Sequence, residues 1–222
     1  MTYNVLATGS DGNAVIVRGD VLIDCGVPFK TLLPVLPALH LVLLTHEHSD
    51  HFKPSTVSAL HRERPGVRFG CCEWMLTKLL ACGVSPRQID VYDLDTDNDF
   101  LYSDLGVIVR PEKLQHNVPN CGYHITAGHE RCFYATDTGT LDGIDAEGYE
   151  LYLVEANHSR EELEARAAEK AARGEFAYET AAARNHLSRE AAAEWIARNC
   201  GPRSVWVPLH EHKTKGEKEN GT

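Results

Sequence analysis

The 222-residue sequence predicts a single domain of mixed α and β structure. Two observations carry that expectation. Short runs rich in Val, Ile and Leu alternate with helical stretches through both halves of the chain. No linker separates the halves, and a chain of this length buries one core well but two poorly. The domain is expected over residues 1–212, with a flexible, solvated tail over 213–222.

The elements follow in order. NVLAT (4–8), AVIVR (14–18) and VLIDC (21–25) read as strands, separated by GSDGN and by Gly19-Asp20. Residues 28–39 contain three prolines and cannot form one regular helix. LVLL (41–44) is a continuous apolar run, as in a strand buried on both faces. Pro54 is placed to open a helix whose Val57 and Leu60 share a face. VRFGC reads as a strand, and the stretch after it as a helix ending at Gly83. Residues 105–115, 121–127, 131–137 and 150–156 read as four further strands. Residues 161–174 form a helix by their alanines and by Glu162 and Arg166 at i,i+4. Ser188 caps another, with Gly201 past its end and Pro202 as a stop. SVWVP (204–208) is the final strand.

Composition narrows the function classes. A net charge of −10, with no basic cluster outside the tail, disfavours a protein that tracks long nucleic acid. A small anionic substrate, or a short nucleic-acid end drawn in by metal ions, remains a suitable partner. The seven cysteines contain no CxxC pair, so neither a disulfide framework nor a zinc finger is expected. No apolar run approaches the ~20 residues of a membrane span, and the start lacks a signal-peptide pattern. A cytoplasmic location without membrane contact is therefore the expectation.

Chemistry concentrates after LVLL, in THEHSDH (45–51). His46 and His48 point the same way if the strand persists, because side chains alternate with period two. Asp50 and His51 then serve a second point. Imidazole and carboxylate donors suit zinc and similar divalent ions, but each ion needs three or four ligands. His116, Asp137, His186 and His210 lie at the edges of predicted elements and are available to complete the sites. His40, His61, His124, His129 and His212 are read as ordinary surface histidines.

THEHSDH resembles the HxHxDH signature of the metallo-β-lactamase superfamily. The resemblance continues through SDGNAVIV, Asp24-Cys25-Gly26, LQHNVPNCGY with His116, YATDTG with Asp137, and VPLH with His210. It implies an α+β fold, the four-layer αββα sandwich, with two divalent metals at one rim; Zn2+ is the default and Mn2+ the alternative. By the same resemblance His46, His48 and His116 hold one metal. Asp50, His51 and His210 hold the other, and Asp137 bridges them. Such a pair shares a hydroxide available at neutral pH.

A bridging aspartate sets the chain apart from the β-lactamase branch proper, which has cysteine there. The ending around Asn185-His186-Leu187-Ser188, helix, strand and His210 resembles the transfer-RNA 3′-processing nucleases and the small YycJ-like phosphodiesterases. In that group the matching histidine protonates the leaving oxygen, oriented by a glutamate; here these are His186 and Glu155. Asp50 would hold the attacking hydroxide. Asn157 and His158 are expected to line the pocket without ligating. The short segment between His116 and Asp137 has no room for a transfer-RNA-clamping arm. The expected function is thus a dinuclear phosphodiesterase or nuclease. A thioesterase or lactone hydrolase is the alternative, and a non-catalytic nucleotide sensor a third. The sequence leaves the oligomeric state open.

Overall fold

The computed structural model describes residues 1–94, 99–174 and 184–211. The expected tail over 213–222, and His212, lie outside them. Among the described residues, twelve strands form two six-stranded sheets, ordered β1-β2-β3-β4-β5-β6 and β12-β11-β10-β9-β8-β7. The first contains β1 (Tyr3–Ala7), β2 (Ala14–Val17), β3 (Val21–Ile23), β4 (Leu41–Leu44), β5 (Arg68–Cys72) and β6 (Ile89–Tyr92). The second contains β7 (Phe100–Tyr102), β8 (Val107–Leu114), β9 (Asn120–Ala127), β10 (Glu130–Ala135), β11 (Leu151–Glu155) and β12 (Val205–Leu209).

Alternation along each strand builds the layers. Val21 and Ile23 of β3, with Leu41 and Leu43 of β4, face Cys132 and Tyr134 of β10 and Leu151 and Leu153 of β11 in the core between the sheets. Leu22, Val42 and Leu44 point the other way, against Leu32 of α1 (Phe29–Leu32), Val57 and Leu60 of α2 (Pro54–Glu63), and Met75 and Leu79 of α3 (Glu73–Ala81). Phe133, Ala135, Tyr152 and Val154 meet Ala192, Trp195 and Ile196, which lie on the last described helix, Arg189–Asn199. Both faces of β4 are thus covered, which is why LVLL is apolar without alternation. The expected αββα sandwich is the architecture found.

Most of the expected elements are present. Pro54 opens α2, and Ser188 Oγ accepts a hydrogen bond from Ala191 N at 3.1 Å as the N-cap of the final helix. The helix over Arg160–Ala172, here α4, also forms, and Arg189–Asn199 is α5. The three prolines leave only the four residues of α1 and a short 3₁₀ turn at Leu36–Ala38.

Three features differ from expectation. Two strands, β6 and β7, were not anticipated; β6 is short and carries Asp90, which pairs with Arg68 of β5. His124 is not a surface residue. It is buried on β9, with Nδ1 3.0 Å from the Tyr149 hydroxyl and Nε2 3.2 Å from Glu112. His61 is half-buried, while His40 and His129 are exposed as expected. Among the described residues, no helix is long and apolar enough to cross a membrane.

Candidate metal centre and proton donor

Strand direction assembles the site. β3 and β4 run parallel, as do β10, β11 and β12, so their C-terminal ends share a rim. β8 and β10 are both antiparallel to β9, so the end of β8 opens on that side too. The loop after β4 carries His46, His48, Asp50 and His51. His116 follows β8, Asp137 follows β10, Glu155 ends β11 and His210 follows β12. Three residues just past a strand end take left-handed backbone angles: Asp24 (φ 62°), Asp137 (φ 56°) and His210 (φ 53°). Non-glycine residues seldom adopt this conformation, and such strain collects at functional sites. It turns each side chain sharply off its strand.

The side chains converge from sequence positions far apart. The donor atoms of His46, His48, His116 and Asp137 lie within 4.8 Å of one another, and so do those of Asp50, His51, Asp137 and His210. Asp137 belongs to both groups. Its Oδ2 is 3.2 Å from His46 Nε2 and 3.2 Å from His51 Nε2. Bare imidazole nitrogens also face each other: His48 Nδ1 lies 3.1 Å from His46 Nε2 and 3.3 Å from His116 Nε2. Asp137 is 2% exposed, and its Oδ1 has no hydrogen-bond partner. A buried carboxylate oxygen without a hydrogen bond, its ring-nitrogen neighbours no nearer than His210 Nδ1 at 3.4 Å, is costly for a protein alone. The donor set fits divalent cations with N/O preference.

Surrounding groups orient the rings. His51 Nδ1 sits 2.7 Å from Asp24 Oδ2, and His116 Nδ1 lies 3.1 Å from the Asn185 carbonyl. His46 Nδ1 faces Thr45 Oγ1 at 3.0 Å. Each contact leaves Nε2 turned to the centre. Asp24 is fully buried and also accepts from Thr45 N, Thr45 Oγ1 and the Tyr134 hydroxyl. Asn120 Nδ2 donates to the carbonyls of Thr136 and Asp137, fixing the turn that aims Asp137. Asn157 Nδ2 donates to the His210 carbonyl at 2.8 Å. Sequence reasoning missed the orienting roles of Asp24 and Asn120. The signal for Asp24 was present, since the Asp24-Cys25-Gly26 triplet was singled out, but only as one of the motifs that carry the family resemblance.

Electrostatics divide the histidines. Burial lowers His46 and pushes His116 down to about 4, which keeps both rings neutral and able to ligate. Burial also opposes charge on His210 and His51, but their acidic neighbours outweigh it. Contacts with Asp50 and Glu155 push His210 up to about 10, and Asp137 and Asp24 hold His51 well above its ordinary value. Asp137 is disfavoured as an anion by burial, yet His51 and His46 hold it well below the usual carboxylate range.

His186 stands beside this centre. Its Nδ1 is 2.6 Å from Glu155 Oε1, and its ring stacks on His210 with centroids 5.3 Å apart. Burial works to lower His186, but the hydrogen bond to Glu155 prevails and the pKa is raised. Glu155 is fully buried, and its Oε2 accepts from Thr138 N and Leu187 N. Asp137, Glu155, His186 and His210 are close enough to suggest a third ligand group. Glu155 has both oxygens engaged by N–H donors, so it reads as an orienting carboxylate. His158 is buried beside this pair, and its Nδ1 has no hydrogen-bond partner.

A family model for the beta-lactamase superfamily domain matches residues 20–210, from the residue before β3 to the last site histidine. The chain belongs to the metallo-β-lactamase superfamily. Within reach of sequence comparison, exodeoxyribonuclease WalJ of Streptococcus pneumoniae strains D39 and R6 is 26% identical over 241 aligned residues, spanning 98% of this chain and 84% of WalJ. In fold, the metallo-β-lactamase fold protein YhfI from Bacillus subtilis superposes with a TM-score of 0.70 at 15% identity, over 97% of this chain and 88% of YhfI. The short form of human tRNase Z superposes equally well, with a TM-score of 0.70 at 17% identity, over 95% of this chain and 93% of that protein. Between His116 and Asp137 this chain has only β9 and β10, joined by a tight turn at Gly128-His129.

Proposed function

We propose that this protein is a dinuclear metal-dependent phosphodiesterase acting on short nucleic acids or small phosphodiesters. One observation carries the reading: Asp137 Oδ2 stands midway between the two histidine groups, 3.2 Å from a nitrogen of each. His46, His48 and His116 are the proposed ligands of one ion, Asp50, His51 and His210 those of the other, with Asp137 shared. Zinc is the proposed metal and manganese the alternative, since nitrogen and carboxylate donors suit both. When bound, such an ion pair lowers the pKa of water and offsets the negative charge of the phosphate.

The chain's own groups then divide the work. Asp50, 3.5 Å from His210 Nε2, orients the attacking water and takes part in removing its proton. His186 gives its proton to the leaving oxygen, which departs poorly from a diester without one. Glu155 fixes the His186 tautomer through Nδ1 and leaves Nε2 as the donor. This dyad favours a diester over a thioester, whose leaving thiolate needs no proton. WalJ, the relative described above, is named as an exodeoxyribonuclease. A reducing compartment, the cytoplasm, is proposed on the seven free thiols, five of them buried.

The test uses zinc- and manganese-loaded protein with bis(p-nitrophenyl) phosphate, single-stranded DNA and an acyl thioester. Hydrolysis of both phosphodiesters is expected. Turnover of the thioester alone overturns the assignment and supports the thioesterase alternative.

A further inference from the structure

Beside the candidate metal centre, bounded by residues 112–119, residues 140–144 and Trp74 of α3, lies a cleft of about 880 Å³ with no part in the chemistry described so far. It shares His116 with the candidate metal centre, so the cleft and the centre adjoin. Apolar side chains line much of it: Trp74, Leu94, Val118 and Ile144, with Pro119. Polar groups, Lys113, Gln115 and Asn117 among them, lie along the same surface. Trp74 sits in the first turn of α3, half-buried, with Nε1 donating to the Thr45 carbonyl at 3.0 Å. The indole is thereby anchored one residue from His46 while it forms part of the cleft wall.

We propose that this cleft is the base-binding subsite for the nucleotide that keeps the scissile phosphate, with Trp74 as its stacking surface. The assignment rests on the phosphodiesterase reading and names the substrate within it. Direction follows from in-line displacement. The leaving oxygen must face His186, whose own side of the centre opens on a smaller pocket with His158, Arg160 and Ser188. The retained nucleoside then extends past His116 into the Trp74 cleft. The occupant follows from charge. A chain with net charge −10 has little electrostatic hold on nucleic acid, so stacking must supply the affinity for a single-stranded end. Every base offers a flat face to an aromatic ring, so this subsite recognises a nucleotide while tolerating any sequence. Lys113 and Gln115 at the rim suit the polar edge of a base better than an acyl chain.

The test is equilibrium binding of thymidine 3′-monophosphate, thymidine 5′-monophosphate and inorganic phosphate to the zinc-loaded protein by titration calorimetry. At least one nucleotide should bind ~10-fold or more tighter than phosphate. Trp74→Ala should erase that ratio, whereas Trp74→Phe should keep it. Because Trp74 also packs against both cores, Val118→Trp gives a second arm. By filling the cleft from a loop it should exclude the nucleotides and still admit phosphate. Equal affinity for nucleotide and phosphate in the wild type overturns the proposal, and so does a ratio indifferent to both Trp74→Ala and Val118→Trp. Tighter binding of an acyl thioester than of either nucleotide at this cleft also overturns it. The two readings fail separately: nucleotide binding through Trp74 without diester hydrolysis refutes the reaction alone, and hydrolysis with Trp74-independent binding refutes the cleft alone.

Discussion

At the residue scale, His186 carries the sharpest prediction. The proposed acid role requires a leaving group that needs a proton. His186→Ala should therefore slow natural phosphodiesters by ~10²–10⁴-fold and p-nitrophenyl esters far less, with bound metal unchanged. Equal losses on both substrates remove His186 from that role. Its pKa adds a pH signature. The hydrogen bond to Glu155 raises it against the pull of burial, so the protonated donor persists above the ordinary histidine value near ~6.5. Activity on natural diesters should fall as pH rises through that raised pKa. Glu155→Gln removes the strongest of the groups that raise it, with Asp137 remaining, so the falling limb should move to lower pH. A pH–rate profile that does not move contradicts the pairing. Asp24 acts one step further out. It touches no substrate but holds His51 Nδ1 at 2.7 Å. Asp24→Asn should weaken binding of one metal ~10–100-fold, measured by competition with a chromogenic chelator.

At the element scale, the site depends on close backbone approach between loops. Gly26 follows β3, and a Cβ there would lie 1.7 Å from the Asp50 carbonyl oxygen. Gly26→Ala should therefore cost about 3 kcal/mol of stability and displace Asp50 and His51 together. Denaturant midpoints and metal content check both halves of that expectation. The same scale shows what was readable in advance. The strands with continuous or alternating apolar runs, β2 to β4 and β8 to β12, were legible because burial dictates their composition. β6 was not, since Asp90 interrupts its pattern and finds its reason only in Arg68 on the neighbouring strand. The histidine loop was legible because its ligand types crowd into seven residues. The orienting contacts were not: Asp24 meets His51, and Asn120 meets Asp137, only after the chain folds. His124 misled for the same reason, since Tyr149 and Glu112 that satisfy its ring are distant in sequence.

At the scale of the whole molecule, two sheets place their strand ends on one rim, and acids and histidines gather there faster than protein contacts can satisfy them. Without a cation, protons do part of that work. His51 and His210 are held protonated at neutral pH by the carboxylates around them, His210 up to about 10. Metal ions must displace those protons. Apparent metal affinity should therefore rise with pH from ~6.5 toward about 10, with proton release visible by calorimetry in buffers of different ionisation enthalpy. Affinity that falls or stays flat over that range contradicts the assigned ligands. The most direct measurement of the central claim is anomalous diffraction at the zinc edge from crystals of the zinc-loaded protein. Two peaks should appear ~3.5–4 Å apart on either side of Asp137, one against His46, His48 and His116, the other against Asp50, His51 and His210. No anomalous peak within bonding distance of Asp137 would contradict the account.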